Sequence, residues 1–450
     1  MNNDPKKESQ GLPQRMADGI EGLPHSVQRA AGSLQNLPKK AQRAAGSLQN
    51  LPNNARRAAD TLKRRYSEDA PTSISMRPGK PEALRARRKN NKKKQHHART
   101  KVAFLRYTYY DLVFKFFVEQ VLDAEWVPLP EATRKTLELG TLHSNDFVCA
   151  PFKHILGDYI EALDRGADVL VQFAGPCRLG YYGELQESIL RDLGYEFEML
   201  NFATVTGKPA QEYLTICKEK VNPNLSIPQG LKNFLAALKM IEYLDDYNDA
   251  YLARAGFCAE PGAYKLARKN FYAEMGTVTS MSEITEAYKK GIRELNEVPL
   301  NMPVDPIRIG LVGEFFTAVD AHSNLGIEDK FIDMGVSLAR YLNMTHRNLH
   351  YNEENLRRSV SEYVKYDMGP TSTMTIAAAK RYAQQGFDGI VHLKSAGCTP
   401  EIDVMPVLQR ISADYHVPIL YLSYDSQTSD TGLDTRLEAF YDMIAMRKAR

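Results

Sequence analysis

From Lys101 to the C-terminus, short apolar runs alternate with longer segments whose apolar residues recur at helical spacing. Asp168–Phe173 is an apolar run of the buried-strand type, and Phe152–Leu163 before it repeats apolar residues every three or four positions. Strands that alternate with helices form βαβ units, which build a parallel sheet covered by helices on both faces. The pattern therefore predicts an α/β protein with doubly wound, Rossmann-like or flavodoxin-like sheets.

The alternation breaks over residues 207–300, where four segments are helix-like and strand signals are few. It resumes at Ile307–Val312. A chain of 450 residues is also too long for one small core. We therefore expect two doubly wound domains, residues 101–206 and 301–450, with a helical insertion or linker at 207–300.

Residues 1–100 differ in composition from the rest of the chain. They carry 22 Lys or Arg against 8 Asp or Glu, and Tyr66 is their only aromatic residue. A segment with so few large apolar residues cannot build an ordinary core, so we expect a basic and largely disordered tail. A 14-residue repeat recurs three times in it: Gly22–Gln35, Asn36–Gln49 and Asn50–Lys63.

The role of this tail stays open. A solubilising tether is one interpretation, and contact with an acidic partner or a membrane surface is another. Non-specific nucleic-acid contact is a third, although the lack of aromatic residues disfavours a dedicated nucleic-acid site. The chain has no apolar run of the roughly 18 residues that span a bilayer and no apolar signal core, and its cysteine count is odd, so we expect a reducing cytoplasm.

Three of the five cysteines share one kind of setting. Cys149, Cys177 and Cys398 each lie in a loop with Gly or Pro within two positions, near the start of a helix-like segment. They are 28 and 221 residues apart, so they meet only if the fold brings distant loops to one sheet edge. Three thiolates gathered in this way suit an iron–sulfur cluster with one iron left open. The alternative for each cysteine alone is a small core residue, which is our interpretation of Cys217 and Cys258.

Two carboxylates are candidates for acid–base work. Glu314 and Glu401 each lie at a junction between a strand and a helix, and for Glu401 helix capping is the alternative. Gly310-Leu-Val-Gly313 after a strand could turn around a phosphate, but it lacks the full Gly-x-Gly-x-x-Gly pattern.

With these motifs the body resembles the 2-hydroxyacyl-CoA dehydratase family, in its iron–sulfur component rather than its ATPase activator. The most specific pieces are Gly175-Pro-Cys-Arg178 and Gly397-Cys-Thr-Pro-Glu401, supported by Cys149-Ala-Pro-Phe-Lys153. The residues that precede Gly397, and Thr399 after Cys398, depart from the usual pattern.

The resemblance implies a [4Fe–4S] cluster on Cys149, Cys177 and Cys398, reduced at low potential by a separate ATP-hydrolysing activator. It implies an anaerobic lyase that dehydrates a 2-hydroxyacyl-CoA, or an ATP-dependent reductase with a double-cubane cluster completed by a second chain. A second dehydratase-like subunit or a homodimer is the implied assembly. The alternative is a non-catalytic iron–sulfur electron-transfer or scaffold protein recruited through its basic tail.

Overall fold

The computed structural model describes residues 99–172, 182–202, 210–425, 428 and 430–449. All of them lie in one unit, residues 80–450. The predicted tail over residues 1–98 and the candidate ligand Cys177 lie outside the described residues. No helix in the described ranges is long and apolar enough to cross a membrane.

Eight strands form two parallel sheets of four in the described part of the chain. The first sheet has the order β2-β1-β3-β4, and its strands are β1 (Lys101–Phe104), β2 (Glu125–Trp126), β3 (Val169–Gln172) and β4 (Glu198–Asn201). The second has the order β6-β5-β7-β8, and its strands are β5 (Arg308–Gly313), β6 (Ser337–Arg340), β7 (Gly389–Ser395) and β8 (Ile419–Tyr424). The two orders are equivalent, and the prediction of two parallel-sheet α/β halves is confirmed.

The helices among the described residues connect and cover these strands. In the first half they are α1 (Asp111–Phe116), α2 (Arg134–Leu142), α3 (Ala150–Asp164) and α4 (Tyr182–Asp192). The middle segment holds α5 (Ala210–Lys220), α6 (Ile227–Arg254), α7 (Ala263–Met275) and α8 (Met281–Glu297). The second half holds α9 (Phe315–Val319), α10 (Ile327–Asp333), α11 (Glu353–Ser359), α12 (Pro370–Gln384), α13 (Thr399–Asp403), α14 (Met405–Tyr415) and α15 (Asp430–Lys448).

Two predicted helices differ in detail. The segment Tyr110–Leu122 was expected as one helix, but α1 continues into a π-helical turn at Phe117–Val121. The segment Glu401–Tyr415 was also expected as one helix, and it divides into α13 and α14 at Val404. Pro406 lies in the first turn of α14 and has no N–H to donate, so it fits a helix start and not a helix interior.

The middle segment is helical as predicted, and α6 contacts both halves. The buried carboxylate of Asp245 on α6 accepts a hydrogen bond from the Tyr110 hydroxyl at 2.5 Å. Its second oxygen accepts from the backbone N–H of Thr345 at 2.8 Å. Apolar residues of both sheets, including Val102 and Ile309, belong to one continuous core. The exact domain boundaries stay a prediction.

Close helix packing positions the helix that starts at Cys149. A Cβ added at Gly140 of α2 would lie 1.7 Å from the carbonyl oxygen of Lys153 on α3. A Cβ added at Gly157 of α3 would lie 2.0 Å from the carbonyl oxygen of Thr136. Only glycine allows these two backbones to approach so closely, and this contact fixes α3 against α2.

Candidate functional site

The candidate site lies beyond the carboxyl ends of the central strands. In the second sheet the chain leaves β5 for the outer strand β6 and returns on the other side as β7. Open parallel sheets bind ligands where the strand order reverses in this way. Glu314 follows β5 directly, and Cys398 lies three residues after the end of β7.

Cys398 is the N-cap residue of the short helix α13 and is partly buried. Burial raises the pKa of its thiol well above the usual range, and the nearby charges of Glu314, Glu401 and Cys149 raise it further. The backbone N–H of Glu401 donates to the sulfur and acts in the opposite direction. Metal binding at this sulfur therefore requires the loss of a firmly held proton.

Cys149 is the N-cap residue of α3 and is buried. Its Sγ is hydrogen-bonded to the hydroxyl of Tyr182, the first residue of α4. The thiol therefore points toward the start of α4.

The loops that carry Cys149 and Cys398 touch each other. A Cβ added at Gly397 would lie 3.4 Å from the carbonyl oxygen of Phe147 and 3.7 Å from Cα of Cys149. The backbone N–H of Ala150 donates to the hydroxyl of Ser395 at 2.9 Å. Two of the three predicted ligand positions are thus brought together from residues almost 250 positions apart in the chain.

The third predicted ligand, Cys177, lies outside the described residues. Its segment is preceded by the end of β3 at Gln172 and followed by Tyr182, the residue that contacts Cys149. No group of three or more His, Cys, Asp or Glu among the residues that the structure describes could hold a metal ion. The three-cysteine set stays a prediction.

Glu314 is the carboxylate that caps a helix. It is the N-cap residue of α9, and its two oxygens accept from the backbone N–H groups of Phe316 and Thr317, both at 2.8 Å. The hydroxyl of Thr317 donates a third hydrogen bond at 2.7 Å. Burial raises the pKa of Glu314, although these hydrogen bonds oppose the shift.

Glu401 lies in a fully buried polar network. One carboxylate oxygen is 2.7 Å from Nε2 of His392, and the other accepts from the Thr375 hydroxyl at 3.0 Å. The capping role that the sequence suggested for this residue belongs to Glu314 instead. Glu401 does not cap a helix because its carboxylate pairs with His392 on β7. The spacing of these two residues in the sequence does not reveal that pairing.

Sequence reasoning missed two further residues, both of them buried polar residues of β7. Lys394 lies at the end of β7 with only 7% of its surface exposed. Burial lowers its pKa, and the nearby Cys398 and Glu401 counteract that shift. His392, two residues earlier, alternates with apolar residues on a buried strand, where a polar residue is costly without a partner. That placement of polar residues inside an apolar strand was the available signal.

The corresponding end of the first sheet has a different set of charges. The backbone N–H of Arg106, just after β1, donates to buried Asp158 at 3.2 Å. Its guanidinium lies 3.8 Å from buried Asp320. His154 on α3 is buried nearby, and burial lowers its pKa to about 4 against the opposing charge of Asp320. The pKa of Asp158 is raised well above its ordinary value by burial.

The other predicted features have structural explanations. Cys217 is fully buried on α5, and burial raises its pKa to about 12, as expected of a core cysteine. Cys258 is partly exposed and donates to the carbonyl oxygen of Glu260 at 2.8 Å. Gly310 faces the ring of Tyr382, and Gly313 packs on the backbone of Leu393. These two glycines serve strand packing, so the suggestion of a phosphate turn is not supported.

Residues 263–444 match the family model described as 2-hydroxyglutaryl-CoA dehydratase, D-component. The matched segment contains the whole second sheet with Glu314, Cys398 and Glu401, whereas Cys149 and Cys177 precede it. The match confirms the family resemblance seen in the sequence and indicates a dehydratase-like enzyme component. A search of the curated proteins finds no match.

Proposed function

We propose that this dehydratase-like component holds a [4Fe–4S] cluster through Cys149, Cys177 and Cys398. The observation that supports the proposal is the contact between the two loops of Cys149 and Gly397-Cys398, which come from different sheets. Cysteine thiolates are the usual ligands of such clusters. A set of three leaves one iron open to a ligand.

The chain length also suits Cys177 as the third ligand. Cys177 lies five residues before Tyr182, whose hydroxyl is hydrogen-bonded to the sulfur of Cys149. Five extended residues span at most about 18 Å, so the length of the chain allows Cys177 to reach the other two cysteines. A double-cubane cluster would need further cysteines, which we assign to a second chain.

When bound, such a cluster accepts an electron at low potential and offers an iron to a carbonyl or hydroxyl oxygen. The residues around Cys398 favour low potential, because the carboxylates of Glu314 and Glu401 act on the sulfur as negative charges. The N–H of Glu401 and the N-terminus of the 15-residue helix α3 at Cys149 favour the thiolate forms.

We assign the two carboxylates to different tasks. The carboxylate of Glu314 accepts three hydrogen bonds and burial raises its pKa, which suits a group that accepts a proton from the substrate. Glu401 is held by His392 and Thr375 and has no exposed surface. It therefore positions the turn of Cys398 and has no path to a substrate proton in this conformation.

The proposed reaction is the dehydration of a 2-hydroxyacyl-CoA, or the reduction of another small molecule at the open iron. The electron comes from an ATP-hydrolysing activator, and a second dehydratase-like subunit or a second copy completes the assembly. A reducing, anaerobic cytoplasm is the matching environment for exposed iron and free thiolates.

The test is anaerobic reconstitution followed by iron and sulfide analysis and EPR spectroscopy of the reduced protein. A 2-hydroxyacyl-CoA is added, and the matched acyl-CoA without the 2-hydroxyl group is the control. A change of the cluster signal with the hydroxylated thioester supports the enzyme. A cluster that responds to neither thioester supports the alternative of an electron-transfer or scaffold protein, and absence of a cluster contradicts both.

A further inference from the structure

A pocket of about 380 Å³ lies among α6, α7 and the residues around the end of α9. One wall carries three cations from a single face of α7, Lys265, Arg268 and Lys269. Their spacing of three and four residues places them side by side on the helix. None of the residues of the cysteine site lines this pocket.

Two aromatic rings form another part of the wall. The rings of Tyr109 and Tyr272 are nearly parallel, with centroids 6.0 Å apart and planes 24° apart. The hydroxyl of Tyr272 donates to the Asn248 side chain at 2.6 Å, which fixes the ring orientation. A planar ring that enters the pocket can pack on such a surface.

Thr108 lines the pocket in an unusual conformation. Its φ of +53° lies in the left-handed region, which a β-branched residue rarely adopts. Its Oγ1 is buried and has no hydrogen-bond partner among the described residues. Strained residues with unpaired polar atoms are typical of sites that receive a ligand.

Two of the three cations have partners, and the Arg268 guanidinium also lies over the Tyr251 ring, 4.1 Å from its centroid. Nζ of Lys265 lies 3.5 Å from Asp333, and the Arg268 guanidinium lies 3.6 Å from Asp329. Both distances exceed the roughly 2.8 Å of a charge-assisted hydrogen bond. Within the described ranges no carboxylate is within ion-pair distance of Lys269.

The acidic residue that lines the pocket is already paired. The carboxylate of Glu328 lies 3.2 Å from Nε of the buried Arg340. Its charge also acts on Arg268, whereas Lys269 has no acidic partner among the residues that the structure describes. The pocket therefore combines positively charged side chains, an aromatic surface and the Thr108 hydroxyl, which has no hydrogen-bond partner among the described residues.

We propose that this pocket binds a phosphate-bearing ligand of nucleotide size. The phosphate lies between Lys265, Arg268 and Lys269, because guanidinium and ammonium groups bind phosphate oxygens through charge-assisted hydrogen bonds. Thr108 donates its hydroxyl hydrogen to the ligand, and the ligand's ring packs against Tyr109 and Tyr272. A free nucleoside diphosphate and the 3′-phosphoadenosine end of a CoA thioester share this chemistry, and the second source depends on the proposed function.

The test is isothermal titration of the full-length protein with ADP, adenosine 3′,5′-bisphosphate, pyrophosphate and adenosine. We expect the two adenine nucleotides to bind more tightly than pyrophosphate, and adenosine to bind weakest. Tighter binding of the 3′,5′-bisphosphate identifies the CoA end as the source, and tighter binding of ADP identifies a free nucleotide. These affinities do not require iron, so they are separate from any failure of the cluster.

Lys269→Glu is the main variant, because its exposed side chain can change without disturbing the core. We expect at least a tenfold loss of nucleotide affinity and a weaker salt dependence of binding. Lys289→Glu on α8 is the matched control, also exposed and outside the pocket, and it leaves affinity unchanged. Lys265→Gln provides a second variant with a smaller loss. No binding by the wild type, or equal affinities in Lys269→Glu and Lys289→Glu, would overturn the proposal.

Discussion

The two sheets share one strand order, but the loops beyond their carboxyl ends carry different chemistry. Beyond the first sheet, Arg106 contacts buried Asp158 of its own half and buried Asp320, which follows α9 in the second half, and His154 lies nearby. In the second half, Glu401 pairs with His392 beside Cys398. An equivalent backbone thus supports a charge cluster in one half and a thiol with a buried hydrogen-bonded carboxylate in the other.

The difference shows that topology alone does not determine the site. Each half supplies one described cysteine at a helix N-terminus, Cys149 on α3 and Cys398 on α13. The proposed cluster needs both, so its ligands are divided between two halves that differ in their electrostatics. The family match covers only the second of them.

The largest expected effect concerns the packing of β5 on β7 in the second half. Gly313 has a φ of +132°, and a Cβ there would lie 1.9 Å from the carbonyl oxygen of Leu393. We expect Gly313→Val to reduce the free energy of unfolding by more than about 4 kcal/mol, measured by urea denaturation. Gly432→Ala at an exposed position of α15 is the control and should raise stability by roughly 0.5 to 1 kcal/mol. A mild effect of Gly313→Val would mean that the two central strands do not pack as described.

The next effect concerns the buried network around Glu401 in the second half. Glu401→Leu removes the acceptor of the fully buried His392, whereas the Thr375 hydroxyl keeps the carbonyl oxygen of Gly313 at 3.2 Å. We expect a loss of about 3 kcal/mol in the free energy of unfolding. Glu401→Gln keeps one oxygen that can accept from His392 or Thr375, so we expect a smaller loss of unfolding free energy. Equal stability of the Leu variant and the wild type would contradict the pairing.

The sequence predicted the strand and helix order, because apolar periodicity depends on local residues. It also identified the Gly-Cys-Thr-Pro-Glu turn around Cys398. It could not assign the partners of Glu401, since His392 and Thr375 come from other elements of the fold. The partners of Glu314 are local, because this residue caps its own helix. His392 to Glu401 and Ala150 to Ser395 are contacts created by tertiary structure.

A pH experiment examines the first half. The pKa of His154 is about 4 in the folded protein, below the roughly 6.5 of an unfolded histidine, mainly because of burial. The folded state therefore binds fewer protons, and stability is full above pH 6.5 and is lost as the pH falls toward 4. We expect protonation of His154 to lower the free energy of unfolding by about 3 kcal/mol between pH 6.5 and pH 4.

His154→Gln is the variant for this measurement. Its free energy of unfolding should fall less than that of the wild type between pH 7 and pH 4. Parallel curves for the two proteins would mean that His154 is not held neutral by burial.

The smallest expected effect concerns the contact between the two halves at Ala150 and Ser395. Ser395→Ala removes the hydroxyl that accepts from the N–H of Ala150, next to Cys149. Because Ser395 is buried, we expect a loss of about 1 kcal/mol. Ser361→Ala, at an exposed hydroxyl on the surface of the second half, should change stability by less than about 0.5 kcal/mol. If both variants change the free energy of unfolding by the same amount, the hydrogen bond between Ala150 and Ser395 contributes nothing to stability.

The most direct test is the iron and sulfide content per chain after anaerobic reconstitution of four single variants. Cys149→Ala, Cys177→Ala and Cys398→Ala should each lose most of the bound iron, whereas Cys217→Ala, at a buried cysteine on α5, should retain the wild-type amount. Equal iron content in all four variants would contradict a cluster shared by the two halves.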